Sequence, residues 1–202
     1  MRIFATMLLW LSLLGSTYNA PQPKGSNVVH SIMQDSPLSG GHCSATAIGK
    51  HALLTASHCE IPSNDIWVDG KKAKIKKIVR DESDHTAYVL DDMTFDAYAK
   101  FAHEPAYTGE KVHILGYPGN WPKVYREGVV ANAVDDDKAV MYNLNAFPGD
   151  SGAAIFNESG EIQDVLSFGT CQVTPDEEVK LCLTGAFRLT KEAIKDFEVL
   201  EN

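Results

Sequence analysis

Two short segments, far apart along the chain, carry residue types that together are able to perform acyl transfer: Leu53-Leu54-Thr55-Ala56-Ser57-His58-Cys59 and Gly149-Asp150-Ser151-Gly152. Amide hydrolysis by a serine needs a hydroxyl, a base beside it, a group that orients the base, and donors for the developing oxyanion. Glycines on both sides of Asp150-Ser151 permit a tight turn from which a hydroxyl projects and neighbouring N–H groups converge. Ser151 is therefore the candidate nucleophile, and the N–H groups of Gly149 and Ser151 are the candidate oxyanion donors. His58, closing an apolar run beside Cys59, is the candidate base. Each segment alone has a plainer explanation: Gly-Asp-Ser-Gly suits a hairpin turn, and a histidine ending an apolar strand is commonly buried and satisfied by backbone. Their joint occurrence favours chemistry.

Positioning such groups falls to a β framework. Short runs rich in Val, Ile, Thr and aromatics recur between Gly, Pro, Asn and Asp, the pattern of a sandwich or barrel. Twelve strands are expected, near residues 27–33, 44–48, 52–56, 66–68, 72–80, 86–90, 112–117, 124–131, 139–144, 153–156, 162–168 and 181–188. That number suffices for two closed six-stranded barrels. Asp69-Gly70 is a tight hairpin signal, and Asn157-Glu158-Ser159-Gly160 suits a loop between strands. The polar stretch 95–110, with Pro105 and Gly109, reads as the connector. Thr190 is placed to cap a short terminal helix with Ile194 and Phe197 on one face. The expected divisions are a leader at 1–20, an N-terminal barrel at 26–103, and a C-terminal barrel plus helix at 104–202.

Composition narrows the function classes. A chain of 202 residues buries roughly 70% of its unfolded surface and needs no metal or partner to fold. A net charge of −9 argues against nucleic acid, whose phosphates are met by clustered Lys and Arg. The lysine-rich run 71–77 alternates with apolar residues and reads as the solvated face of a strand. Arg2, the apolar run 3–14 and Gly15-Ser16-Thr17 read as a signal peptide too short to span a bilayer. Ala20 would suit its last position, although Pro21 disfavours a cut there. The exported chain then carries about −10 and has no stable membrane association. Four cysteines in an exported chain imply two disulfides with three possible connectivities, of which local pairing, Cys43 with Cys59 and Cys171 with Cys182, is the simplest. Seven histidines and four cysteines show no Cys-x-x-Cys or i, i+4 spacing, so no metal and no cofactor is expected. Asn157-Glu158-Ser159 forms a glycosylation triplet of the kind that arises often by chance.

With the cysteine and histidine placed this way, the chain resembles the trypsin/chymotrypsin superfamily from Gly41 to about Thr190. Cys43-Ser44-Ala45-Thr46-Ala47-Ile48-Gly49 is similar to the family's strand before the histidine hairpin. Val165-Leu166-Ser167-Phe168-Gly169 is similar to its Ser-Trp-Gly strand, and Gly185-Ala186-Phe187-Arg188-Leu189-Thr190 to its last strand. Gly116-Tyr117-Pro118-Gly119 and the short spacing from His58 to the acid look more like the bacterial glutamyl-endopeptidase branch or certain viral proteases. The resemblance implies an all-β fold of two six-stranded antiparallel barrels with a C-terminal helix. It also implies a secreted, monomeric serine endopeptidase acting on polypeptides.

The family's acid opens a strand, and here that strand reads Ser83-Asp84-His85-Thr86-Ala87-Tyr88-Val89-Leu90. Aligned on Ala87, His85 takes the acid's slot and Asp84 falls one residue early. One residue of slip turns a strand side chain to the other face unless a bulge corrects it. Asp84 is preferred, because a carboxylate stabilises the imidazolium that forms during catalysis; His85 is the alternative and Asp81 a remote third. The irregularity also motivates a second reading, an inactive homologue serving as a binding module. Asp150 corresponds to the family residue that meets a freed N-terminus, yet no activation sequence precedes it, so another cation or an assembly without cleavage is required. By the same resemblance the substrate pocket comprises Asn145, Ser167, Phe168, Gly169 and Gly185, with no acid at its base to favour Lys or Arg.

Overall fold

The computed structural model describes residues 24–33, 42–60, 63–119, 121–133, 138–173 and 179–200, with backbone only at 172–173 and 179–180. The expected leader lies outside the described residues. Alternation of apolar and polar side chains, punctuated by turn residues, folds into twelve strands that close two antiparallel barrels. The first holds β1 (Val29–Met33), β2 (His42–Gly49), β3 (Ala52–Ala56), β4 (Asp65–Val68), β5 (Lys71–Arg80) and β6 (His85–Leu90), in ring order β1-β2-β3-β6-β5-β4. The second holds β7 (Lys111–Gly116), β8 (Val124–Ala133), β9 (Ala139–Asn143), β10 (Ala154–Asn157), β11 (Ile162–Val173) and β12 (Val179–Phe187), in ring order β10-β11-β12-β9-β8-β7. Counted from its own first strand, each barrel has the same connectivity. Closure leaves no open sheet edge to pair with a neighbour.

Local chemistry explains several of these elements. Asp69 (φ 47°) and Gly70 (φ 76°) both take the left-handed conformation, which a two-residue turn between twisted strands demands. On β5, Ala73 is buried while Lys71, Lys72, Lys74, Lys76 and Lys77 are exposed, so the basic run is a solvated strand face, and Lys72 meets Asp65 at 2.7 Å. Two disulfides, Cys43–Cys59 and Cys171–Cys182, cross-link β2 to the segment after β3 and β11 to β12.

The connector at 95–110 is less polar in place than its composition implies. Phe95, Ala99, Phe101 and Ala102 are buried, and Phe101 bridges to Ile162 of the second barrel. The helix α1 (Lys191–Glu198) begins at Thr190, whose hydroxyl accepts the Ala193 N–H at 3.1 Å. Its buried face (Ala193, Ile194, Phe197) joins the core cluster that contains the first barrel's interior, and Phe197 stacks on Phe101 at 6.3 Å. Burying rings of this size contributes about 1.5–3 kcal/mol each. The C-terminal helix, although it follows the second barrel in sequence, thus packs into a core shared with the first. A second cluster, with Ile114, Tyr142 and Ile155, fills the second barrel alone.

Candidate active site

β3 ends in a single 3-10 turn, Ser57–Cys59, which lifts His58 out of the apolar strand while Cys59 stays buried and bonded to Cys43. The His58 side chain is 45% exposed, so one face of the imidazole is open to a substrate. Its other face is fixed. Nδ1–H donates to Asp84 Oδ2 at 2.8 Å, the His58 backbone N–H donates to Oδ1 at 2.9 Å, and the Ser57 N–H reaches the Asp84 carbonyl at 3.0 Å. This pairing selects the tautomer that leaves Nε2 unprotonated and outward. The hydrogen bond from the Asp84 carboxylate holds the His58 pKa above the ordinary 6.5, against the opposing effect of burial. Burial pushes the Asp84 carboxyl up. The His58 ring, the His58 N–H and the Ser167 hydroxyl together outweigh it, and the pKa lies below 3.8.

Asp84 and His85 part company at the strand boundary. β6 begins at His85, so Asp84 stands just outside the ladder and escapes the alternation that would have aimed it away. No bulge is needed there. His85 is fully buried and occupied elsewhere, with Nδ1 2.5 Å from Asp81 and Nε2 donating to the Phe187 carbonyl at 3.0 Å. Asp81 in turn accepts the N–H groups of Ser83 and His85, which shapes the loop presenting Asp84.

The segment carrying Ser151 is held from both barrels. Gly149 (φ 101°) and Gly152 (φ 82°) take conformations that side-chain-bearing residues rarely adopt. Ser44 grips the turn twice, its N–H on the Ser151 carbonyl at 2.8 Å and its hydroxyl on the Gly149 carbonyl at 2.9 Å. Ser44 follows Cys43, whose disulfide partner Cys59 adjoins His58, so a short covalent and hydrogen-bonded path joins the two candidate reacting groups. Gly149 also abuts the Tyr117 carbonyl and the Gly119 N–H, and His42 Nε2 donates to that Tyr117 carbonyl at 2.9 Å. Among the described residues, neither the Gly149 nor the Ser151 N–H donates to a backbone carbonyl.

Asp150, fully buried, meets Arg126 of β8. Nη1 reaches Oδ2 at 2.6 Å, Nη2 reaches Oδ1 at 2.5 Å, and the Phe147 N–H adds a third bond at 2.8 Å. Arg126 was not singled out from sequence. The signal was present, because it shares the inward phase of β8 with Val124 and Gly128, and an arginine there requires an acidic partner.

The residues assigned to the substrate pocket occupy different places. Asn145 is exposed, its carbonyl taking Arg126 Nη1 at 3.0 Å. The Ser167 hydroxyl donates to the Val165 carbonyl at 3.2 Å and lies close enough to Asp84 to help lower its pKa. Phe168 lies over the α-carbon of Gly185 and tilts against Phe187 with ring centroids 5.6 Å apart. At Gly169 an added β-carbon would meet nothing nearer than the Leu183 carbonyl at 4.0 Å, so its outer side is open. Between the barrels an open cleft of about 1330 Å³ runs past His58, with Asp84, Ser167, Phe168 and Phe187 among its walls. Among the described residues, no group of three or more His, Cys, Asp or Glu side chains converges to hold a metal, and no helix is long and apolar enough to cross a membrane.

Two antiparallel six-stranded barrels with an interbarrel cleft define a chymotrypsin-like serine protease fold. A trypsin-like peptidase domain model matches residues 43–163, and the chain belongs to that family of serine protease hydrolases. Solved structures similar to it include the Rv3671c protease of M. tuberculosis in its active form, at 19% identity and TM-score 0.65, covering 88% of this chain and 82% of that one. A serine endoprotease from Yersinia pestis matches at 16% identity and TM-score 0.67, over 87% of this chain and 64% of its own length. A Glu endopeptidase in complex with MPD matches at 17% identity and TM-score 0.67, over 87% and 90%. These likenesses establish shared architecture. A search of curated protein sequences gives no match.

Proposed function

We propose that the chain is a secreted serine endopeptidase working through a Ser-His-Asp triad and an acyl-enzyme. Ser151 attacks the scissile carbonyl, and His58 Nε2 takes its proton and returns it to the leaving amine. Asp84 orients His58 and stabilises the imidazolium, while the Gly149 and Ser151 N–H groups receive the oxyanion. The observation that carries the reading is the His58–Asp84 pair at 2.8 Å on a turn adjoining the Ser151 segment, whose two N–H groups are uncommitted. The alternative of an inactive binding module drew on the apparent misplacement of Asp84, and the contact between Asp84 and His58 removes that motive.

Two disulfides suit an oxidising compartment, which agrees with a leader at 1–20 and action outside the cytoplasm as a monomer. On specificity, a carboxylate in the pocket would need donors. The Thr184 hydroxyl is committed to the Leu144 carbonyl at 2.6 Å and the Ser167 hydroxyl to the Val165 carbonyl at 3.2 Å, so an uncharged side chain before the scissile bond is favoured over an acidic one. The test is peptide-library cleavage by wild type beside Ser151→Ala. Internal cleavage after uncharged residues, absent in the variant, supports the reading; equal cleavage by both proteins, or none by either, removes it.

A further inference from the structure

Resting on the peptidase reading of the cleft, we propose that the solvent face of β5 is a docking rail for an acidic segment of the polypeptide substrate, bound outside the residues that enter the cleft.

Six of the chain's 18 Lys and Arg fall within residues 71–80, where no acid stands, in a protein of net charge −9. The fold keeps these cations outside. Ala73 is buried and Ile75 packs on the core, so strict alternation would send Lys77 inward with them. The register with β6 slips between Ile75, opposite Leu90, and Lys77, opposite Val89. This bulge leaves Lys76 and Lys77 both exposed and returns Ile78 to the core side. Lys72, Lys74, Lys76, Lys77 and Arg80 thereby form one line, about 26 Å long at the usual rise of a strand. Lys72 is met by Asp65 and Arg80 by Glu60, whereas among the described residues Lys74, Lys76 and Lys77 have no ion-pair partner. Neighbouring like charges repel, and an anion laid along them relieves the repulsion.

The shape of the charge selects the anion. Acids border the line on both sides: Asp65 on β4, and Asp91 and Asp92 after β6. Asp92 takes the Lys74 N–H at 2.8 Å, and Asp91 shares a groove with Lys76 and Lys77. A bilayer or a nucleic-acid duplex is wider than this line and would press its own phosphates against those acids. A single extended polypeptide is narrow enough. Its alternate side chains recur about every 6.8 Å, which is also the spacing of Lys72 and Lys74 along the strand.

The line also ends at the cleft. Arg80 lies in the cleft wall together with His58, Glu82, Glu192 and Asp196. The cleft on this side is acidic, so an acidic stretch of substrate finds its cations beyond Arg80. A polypeptide held at His58 needs only to continue past Arg80 to reach Lys77, about 10 Å further along the strand.

The experiment takes one peptide core from the cleavage library and extends it, upstream or downstream, with a short Gly-Ser spacer and a run of Glu, or of Gln as the neutral control. Wild type is compared with Lys74→Ser/Lys76→Ser/Lys77→Ser and with Lys74→Arg/Lys76→Arg/Lys77→Arg. These side chains are exposed and outside the catalytic machinery, so turnover of the unextended core stays at the wild-type value in both variants. In one of the two orientations the Glu peptide has a KM about tenfold below that of the Gln peptide on wild type, with equal kcat, as a few exposed charge pairs supply. The advantage persists in the Arg variant. It vanishes in the Ser variant, and at about 1 M salt, where the screening length is about 3 Å. Equal KM for Glu and Gln peptides in both orientations overturns the proposal, as does an advantage that survives in the Ser variant. Binding of wild type through these lysines to phosphatidylserine vesicles, but not to the Glu peptide, assigns the face to a membrane and overturns it as well. Ser151→Ala, titrated with the labelled peptides by fluorescence anisotropy, separates docking from chemistry. If wild type cleaves nothing while Ser151→Ala binds the Glu peptide about tenfold more tightly than the Gln peptide, the peptidase reading falls and the rail stands as an acidic-peptide site. If wild type cleaves and neither measurement distinguishes Glu from Gln, only the rail falls.

Discussion

The α-carbon of Gly152 packs directly on Thr55: a β-carbon added at Gly152 would lie 2.1 Å from Thr55 Oγ1 and 2.3 Å from the Ser44 carbonyl. The segment after Ser151 is thereby pressed against the end of the strand that delivers His58. Gly70 shares a positive φ (76° against 82°), yet nothing lies within 4 Å of its added β-carbon. Gly70→Ala should therefore cost about 1 kcal/mol and leave kcat unchanged, whereas Gly152→Ala should abolish activity. Thermal unfolding and ester turnover of the two variants check this. Equal effects would show that the close approach at Gly152 is unimportant.

Asp84→Asn should lower kcat by about 10⁴-fold with KM nearly unchanged. His85→Ala should instead destabilise the fold by about 3 kcal/mol, by stripping partners from Asp81 and the Phe187 carbonyl, and spare turnover in whatever remains folded. Kinetics beside urea unfolding separate the two. A His85→Ala protein that is stable but inactive would reverse the assignment of the third residue.

The acid limb of kcat/KM should inflect above pH 6.5. Catalysis needs the neutral imidazole, and the Asp84 hydrogen bond favours the protonated one, which raises the pKa. Residual activity of Asp84→Asn should inflect at lower pH than wild type. An identical inflection in both proteins would mean that the titrating group is not His58 paired with Asp84.

Behind the site, Asp164 is buried against Tyr142 and the Leu189 N–H, and burial pushes its pKa from 3.8 to about 6. The folded protein therefore holds this proton more tightly than the unfolded chain does. The group's contribution to stability is complete below pH 3.8 and is lost as pH rises through about 6. Relative to Asp164→Asn, wild type should lose up to about 3 kcal/mol between about pH 4 and pH 7. Parallel stability curves for the two proteins would contradict this.

Much of the framework was legible because alternation and turn chemistry are local. All twelve strands fall near their expected positions, and Asp69-Gly70 makes the expected tight turn. Thr190 caps the helix. Less legible were features set by contacts across the fold. Asp84 looked misaligned because strand alternation was applied to the residues before the strand, whereas the ladder starts at His85 and leaves Asp84 outside it. The effect of Ser167 on Asp84 was equally hidden, since the two lie on different barrels. Ser44 and Arg126 hold the Gly149–Ser151 segment from 105 and 24 residues away, through contacts that no local pattern encodes. The connector's buried Phe101 was masked by its polar neighbours.

The two disulfides should behave differently. Each closes a loop, of 16 and 11 residues, and each stabilises by about 3 kcal/mol in the chain-entropy account. Cys171 and Cys182 are exposed, and their bridge joins β11 to β12 without linking the second barrel to the His58 turn, so replacing both by serine should lower stability and leave kcat within a few-fold. Replacing Cys43 and Cys59 should cost activity as well, since that bridge joins Ser44 to His58. Turnover measured well below each variant's melting temperature checks this, and equal kcat in the two pairs would contradict it.

The most direct test is fluorophosphonate modification of the purified protein, with the adduct located by mass spectrometry. One equivalent should attach to Ser151, with a rate that falls by at least about 10³-fold in His58→Ala and to nothing in Ser151→Ala. A folded wild-type protein that takes up no reagent at Ser151, or takes it up as fast without His58, would contradict the pairing of these two residues.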